Sequence, residues 1–458
     1  MVPEFDLVVI GSGPAGQKAA ISAAKQRKKV AVVDRLTMVG GVCVHTGTIP
    51  SKALREAIIH LTSFLQRTSY GQNFSQRISI KELAFRVNDI ISKETQVIRA
   101  QLGRNGVEIF EGAARFLDPN VLEVANDHAS QLVRGKNIVI ACGTRPAHAP
   151  NIPFDGKRII DTDQMATLDE VPREVIVVGG GVVGLECASF FAALGAKVTL
   201  IEARTTVLDF VDHEIIEALM FYLRRLGVVF RLGEKVVSVG NDDNDRVYAE
   251  LESGKRAHGD TLLYAVGRQA NGDMLQLEAA GLKCDARGKV QVNEFFQTAV
   301  PNIYAAGDVI GFPALASTSM EQGRLASVHI FGGERRRMSE LLPYGIYTIP
   351  EVSLVGQTEQ TLTANKTPYE IGIARYAELA KSMMLGDDTG MLKILFDPKT
   401  LKVLGVHAIG DRATEIIHIG QAVIAFGGTI EYFRDSVFNY PTLAEAYKVA
   451  ALDGFNRL

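Results

Sequence analysis

The stretch DLVVIGSGPAGQKAAISAAKQRKKVAVVD, residues 6–34, predicts a buried strand, a glycine-rich loop, a helix and a second strand. In such a loop the first glycine, Gly11, permits a tight turn, and the second, Gly13, lets the backbone approach a pyrophosphate. The third, Gly16, lets the helix pack closely against the strand. The carboxylate of Asp34, at the end of the second strand, is suited to accept hydrogen bonds from ribose hydroxyls. This order of features predicts a dinucleotide-binding fold.

The same order recurs in EVIVVGGGVVGLECASFFAALGAKVTLIE, residues 174–202. In both stretches an acid follows the first glycine of the loop by 23 residues. Residues 175–196 are apolar enough to resemble a membrane span, but three successive glycines after a Val/Ile run favour a strand, a turn and a helix. Two such stretches predict two bound dinucleotides, either two nicotinamide nucleotides or one of these and a flavin nucleotide.

Length, charge and cysteine content exclude several classes of protein. A chain of 458 residues suggests about three domains. The net charge of -3 argues against nucleic acid as a constant partner, because phosphate binding needs a clustered positive excess. Four scattered cysteines without a CxxC pair argue against a disulfide framework or a metal site, and for a reducing compartment. The first residues, MVPEFD, show no basic n-region, so we expect a cytoplasmic protein without a membrane segment.

The pattern of the chain changes in its last quarter. Upstream, residues 81–103 predict a helix, and residues 301–311 predict a strand that runs into a Gly-Asp turn. After about residue 341 the segments VSLVG, LKILFD and VLGVHAIG predict antiparallel strands, and helices are expected over 412–428 and 442–456. These elements predict a separate C-terminal α+β domain.

Seven ordered motifs together resemble those of the pyridine nucleotide–disulfide oxidoreductase family of flavoproteins. They are GSGPAG at 11–16, GGVCVHTGTIPSK at 40–52, ACGTRP at 141–146, GGGVVGLE at 179–186, AVGRQAN at 265–271, IYAAGD at 303–308 and YPTLAE at 440–445. The resemblance runs from Phe5 to Leu458. It implies an α/β fold with two Rossmann-like dinucleotide-binding domains, for FAD and for NAD(P), and a C-terminal α+β dimerisation domain.

The resemblance also implies domain boundaries and an oligomer. We expect an FAD domain at 1–146 and 269–340, an NAD(P) domain at 147–268 and a dimerisation domain at 341–458. The C-terminal domain is implied to join two copies into a homodimer or a higher homo-oligomer, with Glu445 near the flavin of the other copy.

Residue by residue, the resemblance implies cofactor ligands and a catalytic group. The residues implied to bind FAD, NAD or NADP are Gly11, Gly13, Ala15, Gly16, Asp34, Arg35, Gly41, Cys43, Lys52, Ala114, Gly143, Thr144, Asp308, Ala316, Gly179, Gly181, Val183, Gly184, Glu202, Arg204 and Gly267. Lys52 is implied to lie beside flavin N5 and to pair with Glu186, where a fixed cation would stabilise the negative charge of a reduced flavin. Cys43 and Thr48 complete the candidate catalytic group.

Two positions depart from the dithiol members of that family. Those members carry Cys-x-x-x-x-Cys, but here Cys43 is followed at the second position by Thr48, whose hydroxyl cannot form a disulfide. They also carry His-Pro-Thr-x-x-Glu, whose histidine moves the thiol proton, where this chain has Tyr440. Tyrosine has an ordinary pKa of about 10 and is a poor base at neutral pH. Both the electron acceptor and the base of dithiol chemistry are therefore missing.

The expected function is hydride transfer without thiols. With no disulfide to accept electrons, FAD would store the hydride of one nicotinamide nucleotide and pass it to another, so that NADPH + NAD⁺ ⇌ NADP⁺ + NADH in a ping-pong sequence. The first alternative is an NAD(P)H-dependent quinone or dye reductase of the same family. A dihydrolipoamide dehydrogenase is disfavoured by Thr48 and Tyr440, and a nucleotide-responsive binding protein with structural FAD is disfavoured by Lys52 and Glu186.

Two residues keep more than one interpretation. Glu202 suits a ribose 2′-hydroxyl and should repel a 2′-phosphate. Arg204 has two interpretations. It offsets this repulsion by pairing with Glu202 or with the phosphate, or it is a solvated arginine. Cys43 either packs against the flavin ring, which we favour, or acts as a charge-transfer donor or redox switch. The remaining cysteines are interpreted as core or incidental residues, namely Cys142, Cys187 and Cys284.

Overall fold

The computed structural model describes residues 2–35, 38–66, 80–168, 170–242, 246–334, 336–387 and 389–458. These residues form two compact units. Unit 1 holds the described residues within 1–57, 79–148 and 267–339. Unit 2 holds those within 58–78, 149–266 and 340–458.

Helices and strands alternate around the two glycine-rich loops, and runs of consecutive strands occupy much of the remaining chain. The helices are α1 (Pro14–Lys25), α2 (Gly41–His45), α3 (Thr48–Gln66), α4 (Ile80–Arg104), α5 (Val182–Ala193), α6 (His213–Arg225), α7 (Ala316–Ile330), α8 (Glu359–Ala364), α9 (Ala380–Leu385), α10 (Ala413–Ala425), α11 (Glu431–Asp435) and α12 (Glu445–Phe455). The strands are β1 (Glu4–Ile10), β2 (Val30–Asp34), β3 (Glu108–Glu111), β4 (Ala113–Phe116), β5 (Val121–Ala125), β6 (Ser130–Ile140), β7 (Thr144–Pro146), β8 (Ile159–Asp161), β9 (Glu174–Val178), β10 (Lys197–Glu202), β11 (Val229–Leu232), β12 (Val236–Asn241), β13 (Val247–Leu251), β14 (Arg256–Gly259), β15 (Thr261–Tyr264), β16 (Arg268–Ala270), β17 (Ile303–Ala305), β18 (Tyr344–Ile346), β19 (Val352–Gly356), β20 (Glu370–Arg375), β21 (Met391–Phe396) and β22 (Val403–Ile409).

Unit 1 is built on a sheet whose central strands are parallel. Strands β3, β2, β1 and β6 lie side by side, β17 pairs in parallel with β6, and β5 and β4 continue the sheet in antiparallel fashion. Because β1 has β2 on one side and β6 on the other, the strand order reverses at β1. Dinucleotides bind at such switch points, outside the carboxyl ends of the strands.

The central strand of unit 1 is buried on both faces. Its apolar run supplies Val8 to one hydrophobic core and Val9 to the other, as expected for a parallel strand covered on both sides. One core contains residues of α1 and α7, which contact each other closely. A Cβ added at Gly323 in α7 would lie 2.0 Å from the carbonyl oxygen of Ala15, so the helices cross where glycine removes the side chain.

Unit 2 contains a second parallel sheet of the same kind. Its strands lie in the order β11-β10-β9-β15-β8, and all four neighbouring pairs are parallel. Here β9 occupies the position of a switch-point strand, between β10 and β15. A separate antiparallel sheet of β12, β13 and β14 belongs to the same unit.

The C-terminal part of unit 2 is an antiparallel sheet backed by helices. Its strands lie in the order β18-β19-β22-β21-β20, and α10 and α12 contact the sheet. The core between them includes the fully buried Tyr376, Phe396, Phe433 and Tyr447. Burying these large rings stabilises this region, since each removes a large apolar area from water.

The α/β fold class and both predicted strand–loop–helix–strand stretches are confirmed. The apolar run over 175–196 is β9, a glycine turn and α5, as predicted. The helices expected over 412–428 and 442–456 are α10 and α12, both shorter than expected. In α10 the helix ends before Gly427, whose φ of +65° leaves the helical region. No helix in the described part of the chain is long and apolar enough to cross a membrane.

Candidate active site

The loop after β1 needs each of its three glycines for a different reason. Gly11 has a φ of +102°, and a Cβ there would lie 2.4 Å from the carbonyl oxygen of Ala141. A Cβ at Gly16 would lie 1.9 Å from the carbonyl oxygen of Gly11, so α1 packs directly on the loop. A Cβ at Gly13 would meet nothing within 4 Å, which leaves open space at the start of α1.

The loop after β9 repeats this geometry in unit 2. Gly179 has a φ of +109°, and its Cβ would lie 2.6 Å from the carbonyl oxygen of Ala265. A Cβ at Gly184 would lie 1.9 Å from the carbonyl oxygen of Gly179, whereas a Cβ at Gly181 would meet nothing within 4 Å. Each loop therefore has an open space beside its second motif glycine, Gly13 in one loop and Gly181 in the other.

Both loops end in a helix N-terminus that is suited to an anion. Among the described residues no side chain caps α1 at Gly13 or α5 at Gly181. The first N–H groups of these helices therefore point toward the open space without an internal partner. Since free N–H groups and the helix dipole favour negative charge, each loop fits a pyrophosphate.

Asp34 lies beside the first loop and is bound to it by Ser12. One carboxylate oxygen, Oδ2, accepts hydrogen bonds from the backbone N–H and the Oγ of Ser12, at 2.6 and 2.5 Å. The Ser12 hydroxyl also accepts from the N–H of Gly40, at 2.9 Å. Burial raises the pKa of Asp34, although the hydrogen bonds from Ser12 oppose this rise. Sequence reasoning missed Ser12, whose only signal was a polar side chain between two loop glycines.

Glu202 lies beside the second loop in the corresponding place. Its Oε2 accepts from the N–H of Gly180 at 2.6 Å, and its Oε1 accepts from the N–H of Arg204 at 2.9 Å and from Nε at 3.1 Å. Burial alone would raise the pKa of Glu202, but the hydrogen bonds from Arg204 and Gly180 hold it below its usual value. Arg204 was left with more than one interpretation, and in the structure its side chain pairs with Glu202.

Cys43 and Thr48 are brought together where α2 is followed by α3. Thr48 lies near enough to Cys43 to lower the pKa of its thiol, and Lys52 is one turn further along α3. Burial raises the pKa of Cys43 further than Thr48 and Lys52 lower it, so this side chain is a thiol at neutral pH. Burial also raises the pKa of Cys142 to about 12. No disulfide joins any of the four cysteines, all of which lie in the described part of the chain.

Asp308 lies in a group of polar side chains near the starts of β7 and β16. Its Oδ1 accepts a hydrogen bond from the Oγ of Ser319 at 3.4 Å, and Thr144 lies near enough to lower its pKa. Arg268 donates to Thr144 twice, from Nε to Oγ1 at 2.8 Å and from an Nη to the carbonyl oxygen at 3.1 Å. Burial raises the pKa of Asp308, and the charge of Arg268 opposes the rise. Sequence reasoning missed Arg268, although it lies inside the AVGRQAN motif.

Three further predicted ligands lie close to the first loop. Ala15 is in the first turn of α1, and a Cβ at Gly307 would lie 3.1 Å from its Cβ. Gly41 has a φ of +66°, and its Cβ would lie 2.9 Å from the Cα of Gly13. Arg35 follows Asp34 and donates its backbone N–H to that carboxylate at 2.7 Å.

The other predicted ligands occupy varied environments. Ala114 in β4 has its side chain in the hydrophobic core, so its backbone is the part that a ligand can reach. Gly143 and Gly267 have positive φ, +63° and +83°, just before β7 and β16. Ala316 is the first residue of α7, and Val183 is a partly exposed residue in the first turn of α5.

The predicted ion pair joins residues of different units. Lys52 lies in α3 within unit 1, and Glu186 lies in α5 within unit 2. Glu186 is buried and accepts a hydrogen bond from the N–H of Tyr347 at 2.9 Å. The pairing of Lys52 with Glu186 stays a prediction. Tyr440 is 71% exposed, and Glu445 is the first residue of α12.

Comparison with protein families identifies both parts of the chain. Residues 5–323 match the family described as pyridine nucleotide-disulphide oxidoreductase, and residues 342–451 match its dimerisation domain. The chain belongs to this family. It is therefore an FAD-dependent oxidoreductase that uses a nicotinamide dinucleotide, which agrees with two loops that each fit a pyrophosphate.

Individual members of the family match over the full length of the chain. A soluble pyridine nucleotide transhydrogenase of Mycobacterium bovis (strain BCG / Pasteur 1173P2) is 52% identical over 99% of this chain and 98% of its own. One from Erwinia tasmaniensis is 46% identical over 99% of each chain. Among solved structures, the HOCl-induced flavoprotein disulfide reductase RclA of Escherichia coli has a TM-score of 0.89 at 27% identity, covering 98% and 99%. LpdA of Mycobacterium tuberculosis has a TM-score of 0.90 at 26% identity, with the same coverage.

Alanine substitutions at Gly181 and Gly184 are expected to fail in different ways. At Gly181 the added methyl meets no protein atom but enters the space that fits a phosphate. We expect unchanged melting temperature and FAD content, and nicotinamide dinucleotide affinity lowered about tenfold, which is about 1.4 kcal/mol. At Gly184 the methyl would overlap the Gly179 carbonyl, and we expect a stability loss of about 1–3 kcal/mol. Calorimetric titration measures the affinity and thermal unfolding measures the stability. Equal losses of melting temperature in the two variants would contradict the different roles given to Gly181 and Gly184.

Proposed function

We propose that this protein transfers hydride between NADPH and NAD⁺ through bound FAD, so that NADPH + NAD⁺ ⇌ NADP⁺ + NADH. The sequence of steps is ping-pong and uses no redox disulfide. FAD, when bound, supplies a two-electron carrier that serves both nicotinamide nucleotides in turn. The full-length relatives named soluble pyridine nucleotide transhydrogenase support this proposal.

The observation that carries the proposal is that Thr48 stands beside Cys43, where a second cysteine would be needed. Thr48 occupies the position of the second sulfur in a Cys-x-x-x-x-Cys pair, and its hydroxyl cannot be oxidised to a disulfide. The raised pKa of Cys43 keeps its sulfur a thiol, which is a poor nucleophile and a poor charge-transfer donor. Electrons that enter this site from NADPH therefore have no protein thiol pair to reduce.

In this proposal each of the two glycine loops binds one cofactor. In unit 1 the residues from Gly11 to Gly16 hold the pyrophosphate of FAD, and Asp34 accepts from its adenosine ribose. Asp308 binds either the ribityl chain or the pyrophosphate side of FAD. Lys52 supplies a fixed positive charge that stabilises negative charge on the flavin ring, with Glu186 as its counter-ion.

In unit 2 the residues from Gly179 to Gly184 hold the nicotinamide dinucleotide, and Glu202 accepts from its ribose. The corresponding domains are 1–146 with 269–340 for FAD, 147–268 for NAD(P) and 341–458 for assembly.

We also infer that two copies assemble through the C-terminal region. This region matches the dimerisation domain of the family. It also exposes large apolar side chains, including Phe426 at 91%, Val437 at 95% and Tyr440 at 71%. Exposed apolar groups of this size are typical of surfaces that a partner covers.

An anaerobic experiment with sequential mixing tests the proposed reaction. NADPH is expected to bleach the visible flavin band of the holoenzyme, and NAD⁺ is then expected to restore the band and yield an equal amount of NADH. Cys43→Ser is the matched variant, and it should keep both half-reactions because the thiol takes no part. Reoxidation by quinones but not by NAD⁺ would instead indicate a quinone reductase. Absence of bleaching would indicate structural FAD, and loss of both half-reactions in Cys43→Ser would indicate thiol chemistry.

A further inference from the structure

The guanidinium of Arg204 lies between two carboxylates at the end of β10. Its Nε is 3.1 Å from Oε1 of Glu202, and its Nη1 is 3.5 Å from Oδ1 of Asp209. The side chain of Glu202 is almost buried, whereas the side chains of Arg204 and Asp209 are 46% and 61% exposed. This group of three charges is net negative, and it includes Glu202, the acid that is suited to a ribose of the dinucleotide.

The loop that carries Asp209 is fixed by its neighbours. Leu208 has a φ of +46°, a left-handed conformation that is costly for a residue other than glycine. Its side chain is buried, as are those of Val207 and Val211, and the N–H of Val211 donates to the carbonyl oxygen of Leu208 at 2.9 Å. Asp209 is therefore presented to Arg204 from a rigid turn.

A 2′-phosphate changes the charge balance at this position, and a 2′-hydroxyl does not. The hydroxyl donates to Glu202 and leaves Arg204 in place. A phosphate monoester carries a charge of about −1.5 to −2 at neutral pH. Glu202 and Asp209 both repel it, and Arg204 has to leave a carboxylate in order to pair with it. Asp209 therefore weakens binding of the phosphorylated dinucleotide more than binding of the other.

We propose that Asp209 is a specificity-determining residue of the dinucleotide site, which sets the balance between NADP(H) and NAD(H) by holding Arg204 against Glu202. The inference rests on the proposed function, since a transhydrogenase has to accept both dinucleotides at this site. Asp209 acts through Arg204 and is a positioning residue.

Asp209→Asn tests this role, because it removes the charge and keeps the shape of the side chain. The holoenzyme in its oxidised state is titrated calorimetrically with NADP⁺ and with NAD⁺, so that no turnover is needed. We expect NADP⁺ affinity to rise about three- to fivefold at low salt and NAD⁺ affinity to change less than about twofold, the size of one exposed ion pair. Glu252→Gln is the matched control, because Glu252 is an exposed acid in the turn between β13 and β14. It should change neither affinity.

Two further measurements separate this role from a structural one. In an Arg204→Gln background, Asp209→Asn should raise NADP⁺ affinity by less than about twofold, because no guanidinium is left to release. Rising ionic strength should reduce the difference between Asp209→Asn and wild type, since the charges involved are exposed. An effect that is the same in both backgrounds would overturn the proposal.

The outcome also distinguishes this inference from the proposed function. If wild type binds both dinucleotides and Asp209→Asn shifts neither, the role of Asp209 is wrong while transhydrogenation stands. If wild type binds only one dinucleotide, the proposed function itself fails. An equal gain for NADP⁺ and NAD⁺ would indicate a general charge effect and would overturn the specificity role.

Discussion

Replacement of Lys393 by methionine is expected to lower the free energy of unfolding by about 3–5 kcal/mol, the typical cost of breaking a buried ion pair by removing one partner. Lys393 lies in β21 with its side chain fully buried. Its ammonium donates to Asp212 and Glu214, each at 2.9 Å, and to Glu359. Methionine has a similar length but no charge, so the buried Asp212 loses its cation. Urea unfolding of the holoenzyme, followed by circular dichroism, measures the loss.

The deficit of this variant is expected to shrink in acid. Burial alone would raise the pKa of Asp212, but the charge and the hydrogen bond of the Lys393 ammonium hold it below its usual value. Burial lowers the pKa of His407, so this imidazole adds no positive charge at neutral pH. In wild type this carboxylate therefore contributes stability at neutral pH, and the contribution is lost as pH falls through the pKa of the folded state. Without Lys393 burial raises the pKa of Asp212, and a proton removes the unpaired charge. The difference between Lys393→Met and wild type should be larger at about pH 7 than at about pH 5.

A double variant identifies the cause of the loss. Lys393→Met with Asp212→Asn removes the uncompensated charge, and asparagine still caps the N-terminus of α6, as Asp212 does by accepting from the N–H of Glu214. Part of the lost stability should therefore return, as a coupling between neighbouring sites. A double variant that is no more stable than Lys393→Met would show that lost packing, and not the buried charge, causes the loss.

The glycine loops were predictable from the sequence because their requirements are local. Gly11 needs a positive φ, and Gly16 needs the absence of a Cβ that would overlap a carbonyl only five residues away. The same holds for Cys43 and Thr48, which lie close together because only a short turn separates them. In each case the physical reason lies within a short stretch of the chain, so residue type and spacing were enough.

The Lys393 cluster was not predictable in this way. In the segment MLKILF the lysine sits in an apolar strand, where alternation predicts a solvated position. Its partner Asp212 is 181 residues away, and only the folding of unit 2 brings the two together. The pair of Arg268 with Thr144, 124 residues apart, escaped for the same reason. Long-range polar pairs depend on how strands and helices pack, which local patterns do not encode.

Replacement of Thr48 by cysteine is expected to create the redox disulfide that the proposed reaction lacks. Thr48 already lies near enough to Cys43 to lower the pKa of its thiol, so a sulfur at position 48 is placed beside the first one. Anaerobic titration of the variant holoenzyme with NADPH should take about four electron equivalents per FAD, against about two in wild type, because a disulfide is a two-electron couple. In the oxidised variant, thiol titration should detect neither the new cysteine nor Cys43.

The added sulfur is not expected to bring efficient dithiol turnover. Thiol exchange needs a base near the reacting sulfur, and Tyr440 stands where the dithiol members of the family have histidine. A phenol is a poor general base for moving a thiol proton, in contrast to an imidazole. Thr48→Cys should therefore store two more electrons and still reduce lipoamide slowly, while Thr48→Ser should titrate as wild type does. Uptake of only about two equivalents by Thr48→Cys would show that the missing second cysteine is not what separates this chain from its dithiol relatives.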